Sequence, residues 1–361
     1  MTGRFALLVL IVIFVFSGQN DSGRDLRVRA ERGDAEAQYE LGNVYASGDG
    51  VPQNDAEAVS WYRRSAEQRF ALAQAGLGHM YFSGRGVTQD DDEAVSWYRR
   101  SVEHGEPTGQ NNLGYMFAEG RGVPQNDVEA VTWYRRAAAQ GEAAGQNNLG
   151  YMFAEGRGVP QNDLEAVQWY RRATKQGHVL AQANLGYMYR AGRGVPQNDV
   201  EAVRWYRWAA VQGHGLAQVN LGGMYRSGRG VPQNDAEAVK WYRRAAVQGE
   251  AVGQNGLGYM YAEGRGVSQN DAEAVKWYRR SAVQGEAAGQ TSLGYMYAEG
   301  RGVQQDYVAG YMWSDLAVSR ANSGERNRAV RQRDRLAQQM TRGQLVEAQR
   351  LTREWDPVNL N

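Results

Sequence analysis

Residues 149–173 read LGYMFAEGRGVPQNDLEAVQWYRRA, and this stretch sets the period of nearly the whole chain. Its Leu-Gly pair recurs at 41–42, 77–78, 113–114, 149–150, 185–186, 221–222, 257–258 and 293–294, always 36 residues apart. Its Trp-Tyr pair keeps the same step at 61–62, 97–98, 133–134, 169–170, 205–206, 241–242 and 277–278. Trp313 holds the phase once more, with Ser314 in place of the tyrosine. Self-similarity at a fixed period of this length is the mark of a repeat array. Eight units follow without insertion: 33–68, 69–104, 105–140, 141–176, 177–212, 213–248, 249–284 and 285–320.

The first unit shows what each position does. Ala37, Leu41 and Val44/Tyr45 are spaced as one buried face of a helix. Gly48 stops that helix, because glycine tolerates the left-handed turn that ends one. Residues 50–53, Gly-Val-Pro-Gln, form a loop, since proline lacks an amide hydrogen and restrains the residue before it. Asn54 caps a second helix, and Glu57 stands where a capping box would have it reach back. Ala58, Trp61/Tyr62 and Ser65/Ala66 make the buried face of that helix, and Gly105, Gly141 and Gly177 end it in later units.

Each helix spans about 13 to 15 residues, too short to stand alone in water. One pair cannot bury both its apolar faces, so the units must stack into a continuous core. Trp61 and Tyr62 are read as core, each contributing about 1.5–3 kcal/mol by burial. Gly42 and Ala58 are expected where adjacent helix backbones approach closely. The small residue four before the leucine is alanine in units one, two, five and six, but glycine at 109, 145, 253 and 289. Glycine costs about 0.5–1 kcal/mol inside a helix, so those units are either softer or more tightly packed.

The motif resembles the Sel1-like repeat, a relative of the tetratricopeptide repeat with a longer interhelical loop. The matching residues in unit four are Leu149-Gly150-Tyr151-Met152-Phe153, Gly156-Arg157-Gly158-Val159 and Ala166-Val167-Gln168-Trp169-Tyr170-Arg171-Arg172-Ala173. The resemblance covers residues 33–320. It implies an all-α fold, a right-handed α-solenoid of stacked helix-turn-helix repeats. It also implies a protein-binding scaffold or adaptor with no enzymatic activity and no cofactor.

The full chain has 361 residues, 42% hydrophobic, with 41 Lys+Arg against 40 Asp+Glu and a net charge of +1. That balance does not suggest disorder or a nucleic-acid partner. The absence of cysteine removes disulfides, thiolate metal sites and cysteine nucleophiles. Residues 5–16 are an unbroken apolar run of 12 behind Arg4, followed by polar residues 17–20. This is the layout of a secretory signal peptide. A membrane span needs about 20 apolar residues, so membrane attachment would arise only if the signal stayed uncleaved. An exported protein is expected, periplasmic or secreted, with the signal ending near residue 17.

The ends differ from the repeats. On this reading the chain holds a signal peptide (1–18), an N-terminal cap (19–32), eight repeats (33–320) and C-terminal capping helices (321–361). Residues 25–32 look like the tail of a degenerate second helix. Unit eight loses its pattern after Val303, where residues 311–315, Tyr-Met-Trp-Ser-Asp, replace the usual helix. A charged helix is expected over 323–340 and a last one beyond Thr341 and Gln344, which form a capping box. The arginines 326, 328, 331, 333 and 335 make either a basic patch or a solvated cap surface.

No catalytic arrangement emerges. His79, His104, His178 and His214 read as structural or surface residues rather than metal ligands. No Ser-x-x-Lys motif occurs, which counts against a β-lactamase-like hydrolase. The Gly-Arg-Gly-Val loops, as at 120–123, lack the lysine and serine of a phosphate-binding loop, and their glycines are assigned to the turn.

A binding surface is the better search. On the first helix the positions away from the core fall at i, i+3 and i+7. They read Asn112, Tyr115, Glu119 in unit three; Asn148, Tyr151, Glu155 in unit four; and Asn184, Tyr187, Ala191 in unit five. Unit seven gives Gly256, Tyr259, Glu263 and unit eight Ser292, Tyr295, Glu299. In tetratricopeptide-like superhelices the first helix lines the concave groove, so stacking would align these residues into ladders. Tyrosine supplies contact area at low entropy cost and asparagine can bond a peptide backbone. The expected partner is another protein or extended peptide bound by a monomer. Two alternatives stay open: tyrosines acting as platforms for carbohydrate or an envelope polymer, and exposed positions merely copied by duplication.

Overall fold

The computed structural model describes residues 21–321 and 323–355, and the expected signal peptide lies outside them. Among the described residues there are nineteen α-helices and no strand. No helix among them is long and apolar enough to cross a membrane. Helix α1 (Asp21–Glu31) precedes eight pairs. The first helices of the pairs are α2 (Ala35–Ser47), α4 (Ala71–Ser83), α6 (Pro107–Glu119), α8 (Ala143–Glu155), α10 (Val179–Ala191), α12 (Gly215–Ser227), α14 (Ala251–Ala262) and α16 (Ala287–Glu299). Their partners are α3 (Asp55–Glu67), α5 (Asp91–Glu103), α7 (Asp127–Ala139), α9 (Asp163–Lys175), α11 (Asp199–Val211), α13 (Asp235–Val247), α15 (Asp271–Val283) and α17 (Tyr307–Arg320). Helices α18 (Ser323–Gln339) and α19 (Arg342–Glu354) close the described chain. This is an all-α helical-repeat fold. It divides into two compact units, the first ending at His178 and the second beginning at Val179.

Within each unit, every second helix packs on the first helix of the next repeat: α3 on α4, α5 on α6 and α7 on α8, then α11 on α12, α13 on α14 and α15 on α16. Neighbouring first helices also touch, α4 with α6, α6 with α8, α12 with α14 and α14 with α16. The core therefore runs between repeats as well as within each pair. One such cluster joins Ala94, Val95 and Tyr98 of α5 to Leu113 and Met116 of α6. Another joins Val131, Tyr134 and Ala138 of α7 to Leu149 and Met152 of α8. The methionine three residues after each leucine, from Met80 to Met296, is buried throughout, at the position that Val44 holds in the first unit.

Local chemistry ends the helices as expected. Gly48 has φ +77°, and its amide donates to the Val44 carbonyl. Asn54 Oδ1 accepts the Glu57 amide at 3.1 Å, while its own amide reaches back to the Tyr45 carbonyl at 2.9 Å. The capping box is only half made. Glu237 and Glu273, which stand where Glu57 does, turn instead to Lys240 and Lys276, both at 2.6 Å. Oppositely charged side chains one helical turn apart stabilise a helix by about 0.2–0.5 kcal/mol.

The Trp-Tyr pair splits its work. Tyrosines 62, 98, 134, 206, 242 and 278 are all buried. Each sits against the glycine of a Leu-Gly pair; a Cβ on Gly42 would lie 2.6 Å from the Tyr62 ring, and one on Gly78 2.7 Å from that of Tyr98. The glycine makes room for a ring as well as for the neighbouring helix backbone, since the same Cβ on Gly78 would lie 3.2 Å from the Ala94 carbonyl. Trp61, Trp97 and Trp241 are buried, whereas Trp133, Trp169, Trp205 and Trp277 are only half-buried. An arginine three residues on covers the indole, as Arg64 does over Trp61 at 4.5 Å and Arg172 over Trp169 at 4.2 Å. In the fifth repeat Trp208 takes that place and meets Trp205 edge-on at 4.7 Å.

The glycines at 109, 145, 253 and 289 mark tighter packing rather than softness. A Cβ on Gly109 would stand 2.5 Å from Ser101 Oγ, and one on Gly145 2.7 Å from the Ala137 side chain.

At the N-terminal end, α1 packs on α2 and accepts a hydrogen bond from Gln38 at the Ala30 carbonyl. The same bond joins Gln74 to Ala66 and Gln218 to Ala210 inside the array. The C-terminal expectation needs correction, because residues 307–320 are helical and in phase. Trp313 keeps its place while most of its neighbours change; Ser314 replaces the tyrosine, and Gln332 of α18 fills the space, donating to Ser314 Oγ at 3.0 Å. Thr341 and Gln344 form a capping box at the start of α19, whose end brings Trp355 to Trp313 at 4.6 Å.

Candidate functional site

The outward stripe of the first helix separates into three kinds of position. Tyr115, Tyr151, Tyr187 and Tyr295 are 40–44% exposed, far more than a packing aromatic requires. Tyr259 is half-buried beneath the Arg226 guanidinium, 5.2 Å from its ring. Glu119, Glu155, Glu263 and Glu299 are exposed, as is Ala191.

The asparagine position behaves differently. Asn112, Asn148 and Asn184 are half-buried, as are Gly256 and Ser292. Asn112 lies beside the Tyr98 hydroxyl and Ser292 beside that of Tyr278, so each stands against a buried tyrosine of the preceding second helix. At Gly256 the Tyr242 ring itself occupies the space. Asn148 Nδ2 also donates to Asn111 Oδ1 at 2.9 Å. Asn112 and Asn148 thus serve the stack, and the accessible surface is tyrosine and glutamate.

What holds those tyrosines is the Gly-Arg-Gly loop. Arg157 donates from Nε and Nη2 to the two carboxylate oxygens of Asp127 at 3.2 and 2.7 Å, and from Nη2 to the Ala118 carbonyl at 2.6 Å. Arg85 grips Asp55, Arg121 Asp91, Arg265 Asp235 and Arg301 Asp271 in the same two-pronged manner. Every such arginine reaches into the preceding repeat. The fit is close, because a Cβ on Gly158 would lie 2.2 Å from the Asp127 carbonyl. Hydrogen bonding to the carboxylate raises the guanidinium pKa of Arg85, Arg121 and Arg265, and Arg85 and Arg301 lower the Asp55 and Asp271 carboxyls. The same guanidinium groups stand beside the exposed tyrosines of their own repeats: Arg121 by Tyr115, Arg157 by Tyr151 and Arg301 by Tyr295. Glu119 adds a second carboxylate to Arg157 at 3.5 Å, and Glu263 one to Arg301 at 3.9 Å.

This arrangement escaped sequence reasoning, which gave the loop glycines a turn role and the arginine none. The available signal was the constant offset of 30 residues between an aspartate at the start of each second helix and the next loop arginine. Chemically, the result is an aromatic ring presented to solvent beside a clamped guanidinium. A ring already held in place loses little freedom when something docks on it.

The histidines have fold-related surroundings. His214 Nδ1 accepts the Ala217 amide at 3.1 Å and caps α12. Burial lowers the pKa of His79, His178 and His214. Among the described residues no three or more His, Asp, Glu or Cys side chains gather as metal ligands would.

Comparison with known proteins agrees with the repeat assignment. The Sel1 repeat model matches eight consecutive windows, 35–70, 71–106, 107–142, 143–178, 179–214, 215–250, 251–286 and 287–322. A Sel1 repeat protein from Oxalobacter formigenes is 35% identical, with a TM-score of 0.57 over 85% of this chain and 89% of its own. The c5321 protein, described as a protective antigen of uropathogenic Escherichia coli strains with an SLR fold, is 32% identical over 92% of this chain and 86% of its own, with a TM-score of 0.45. Among curated proteins, none matches. With the family model accounting for every residue from 35 to 322, the chain belongs to the Sel1-repeat family.

Proposed function

We propose that this protein is an exported, non-catalytic scaffold that binds a protein or extended peptide along the exposed side of its first helices. Sel1 repeats generally serve as protein-interaction scaffolds without catalysis. The observation that carries the reading to this face is the set of tyrosines, Tyr115, Tyr151 and Tyr295, each exposed beside a clamped loop arginine. Such rings offer broad amphipathic contact with little ordering cost. Export rests on the apolar run at residues 5–16 and its polar border.

Replacing Tyr115, Tyr151, Tyr187 and Tyr295 together by alanine tests the proposal. Affinity capture from envelope extract and culture medium should lose its partner, while the thermal melt stays close to the parent's. Full retention of capture by the tetra-alanine protein would rule out this face. Turnover of nitrocefin by the purified chain would rule out the non-catalytic reading.

A further inference from the structure

The binding stripe does not stop at the eighth repeat. Helix α18 begins 36 residues after α16 and packs against α16 and α17, where a ninth first helix belongs. Its buried Ala329 stands one period beyond Leu293. Carried forward by that period, Ser292, Tyr295 and Glu299 become Arg328, Arg331 and Arg335. The stripe of polar, aromatic and acidic side chains ends in three arginines.

These arginines face a cleft of about 210 Å³ between α16 and α18, bordered also by Tyr295 and Glu299. Arg335 pairs with Glu299. Arg328 and Arg331 are exposed and have no carboxylate partner among the described residues. Three cations and one anion leave the cleft two positive charges in excess. Arg333, on the neighbouring face, is occupied by Asp315 and Asp334 at 3.2 and 2.8 Å. Arg328 and Arg331 therefore keep uncompensated charge on the side that continues the stripe.

We propose that this cleft anchors an acidic peptide. Adjacent Asp or Glu side chains of a partner enter between α16 and α18 and pair with Arg328 and Arg331, leading the remaining segment onto Tyr295. The guanidinium fork accepts a carboxylate with two parallel hydrogen bonds, which lysine cannot reproduce. The cleft admits one or two short side chains beside an aromatic wall. This inference rests on the reading of the first-helix side as the partner-binding face, and it names the chemistry at one end of that face.

The test uses the whole chain and a dye-labelled peptide bearing a run of glutamates, with a glutamine counterpart, followed by fluorescence anisotropy. The glutamate peptide should bind at least tenfold more tightly than the glutamine one and weaken with added salt. R328A/R331A should abolish the difference, and R328K/R331K should restore only part of it. Circular dichroism melts should be unchanged, since neither arginine holds a structural partner among the described residues. Equal binding of the two peptides, or undiminished binding by R328A/R331A, overturns the proposal. So does recruitment of the chain to anionic phosphatidylglycerol vesicles that R328A/R331A removes while peptide binding persists. If R328A/R331A still captures the natural partner and the tyrosine variant does not, the anchor is wrong and the binding face stands. If the tyrosine variant still captures it, the face itself is wrong.

Discussion

Arg157 closes a two-pronged ion pair on Asp127, thirty residues earlier and one repeat back, with both side chains about three-quarters covered. Bidentate geometry and partial burial set this pair apart from ordinary surface ion pairs. R157A should lower stability by about 1–2 kcal/mol, since Asp127 loses both its hydrogen bonds while the Ala118 carbonyl keeps only the one from Gln125. In a double-mutant cycle with D127A the coupling should be about 1 kcal/mol. Strictly additive losses in urea denaturation would show that the two residues merely sit side by side.

Arg69 occupies a turn position where later repeats carry glycine, and it does so at φ +67°. A left-handed backbone costs a residue with a side chain roughly 1–2 kcal/mol. Arg69→Gly should therefore stabilise the protein by about 1 kcal/mol, read as a raised urea midpoint. A lowered midpoint would mean that the arginine side chain contributes more than its backbone strain costs.

Gly145 lies inside α8, where alanine would ordinarily be the better helix former. Here a Cβ would fall 2.7 Å from the Ala137 side chain and 3.1 Å from the Ala138 amide. Overpacking of about 1–3 kcal/mol outweighs a propensity gain of about 0.5–1 kcal/mol. Gly145→Ala should be destabilising by about 1–2 kcal/mol. If it stabilises instead, the helices can part without loss and the tight approach has no energetic weight.

High pH should dissolve the stack. Burial pushes the hydroxyls of Tyr62 and Tyr206 up to about 12, and those of Tyr98, Tyr134, Tyr242 and Tyr278 in the same direction. An unfolded tyrosine ionises near pH 10. The folded state therefore keeps its protons after the unfolded chain has begun to lose them, so stability is intact below about pH 10 and falls as pH rises toward about 12. Helical circular dichroism and phenolate absorbance should change together for this group. Complete tyrosine ionisation with undiminished helicity would show that the hydroxyls are not buried.

The features legible in the sequence are local and repeated. Leu149, Trp169 and Gly156 declare two helices and the turn between them, because periodicity and left-handed caps act within a few residues. The Arg157–Asp127 pair was not legible, since an offset of 30 residues does not say which copy of an aspartate meets which arginine. Asn112 was read as facing outward because the i, i+3, i+7 stripe borders the buried one. A position beside Leu113 lies at that border, and the hydroxyl of Tyr98 decides which way the side chain turns. The helix around Trp313 was obscured by the loss of its tyrosine, although the tryptophan kept phase. Tertiary compensation by Gln332, coming from a different helix, has no signature in the local pattern.

One property follows from the loop clamp. Donor and acceptor recur with the same 36-residue period, so copying or deleting one whole repeat adds or removes one Arg and one Asp and strands neither. Residues 109–127 and 145–163 are already identical, so recombination between them would excise a complete module. Such an array works as a ruler of adjustable length, whose graduations can change in number while every joint stays closed.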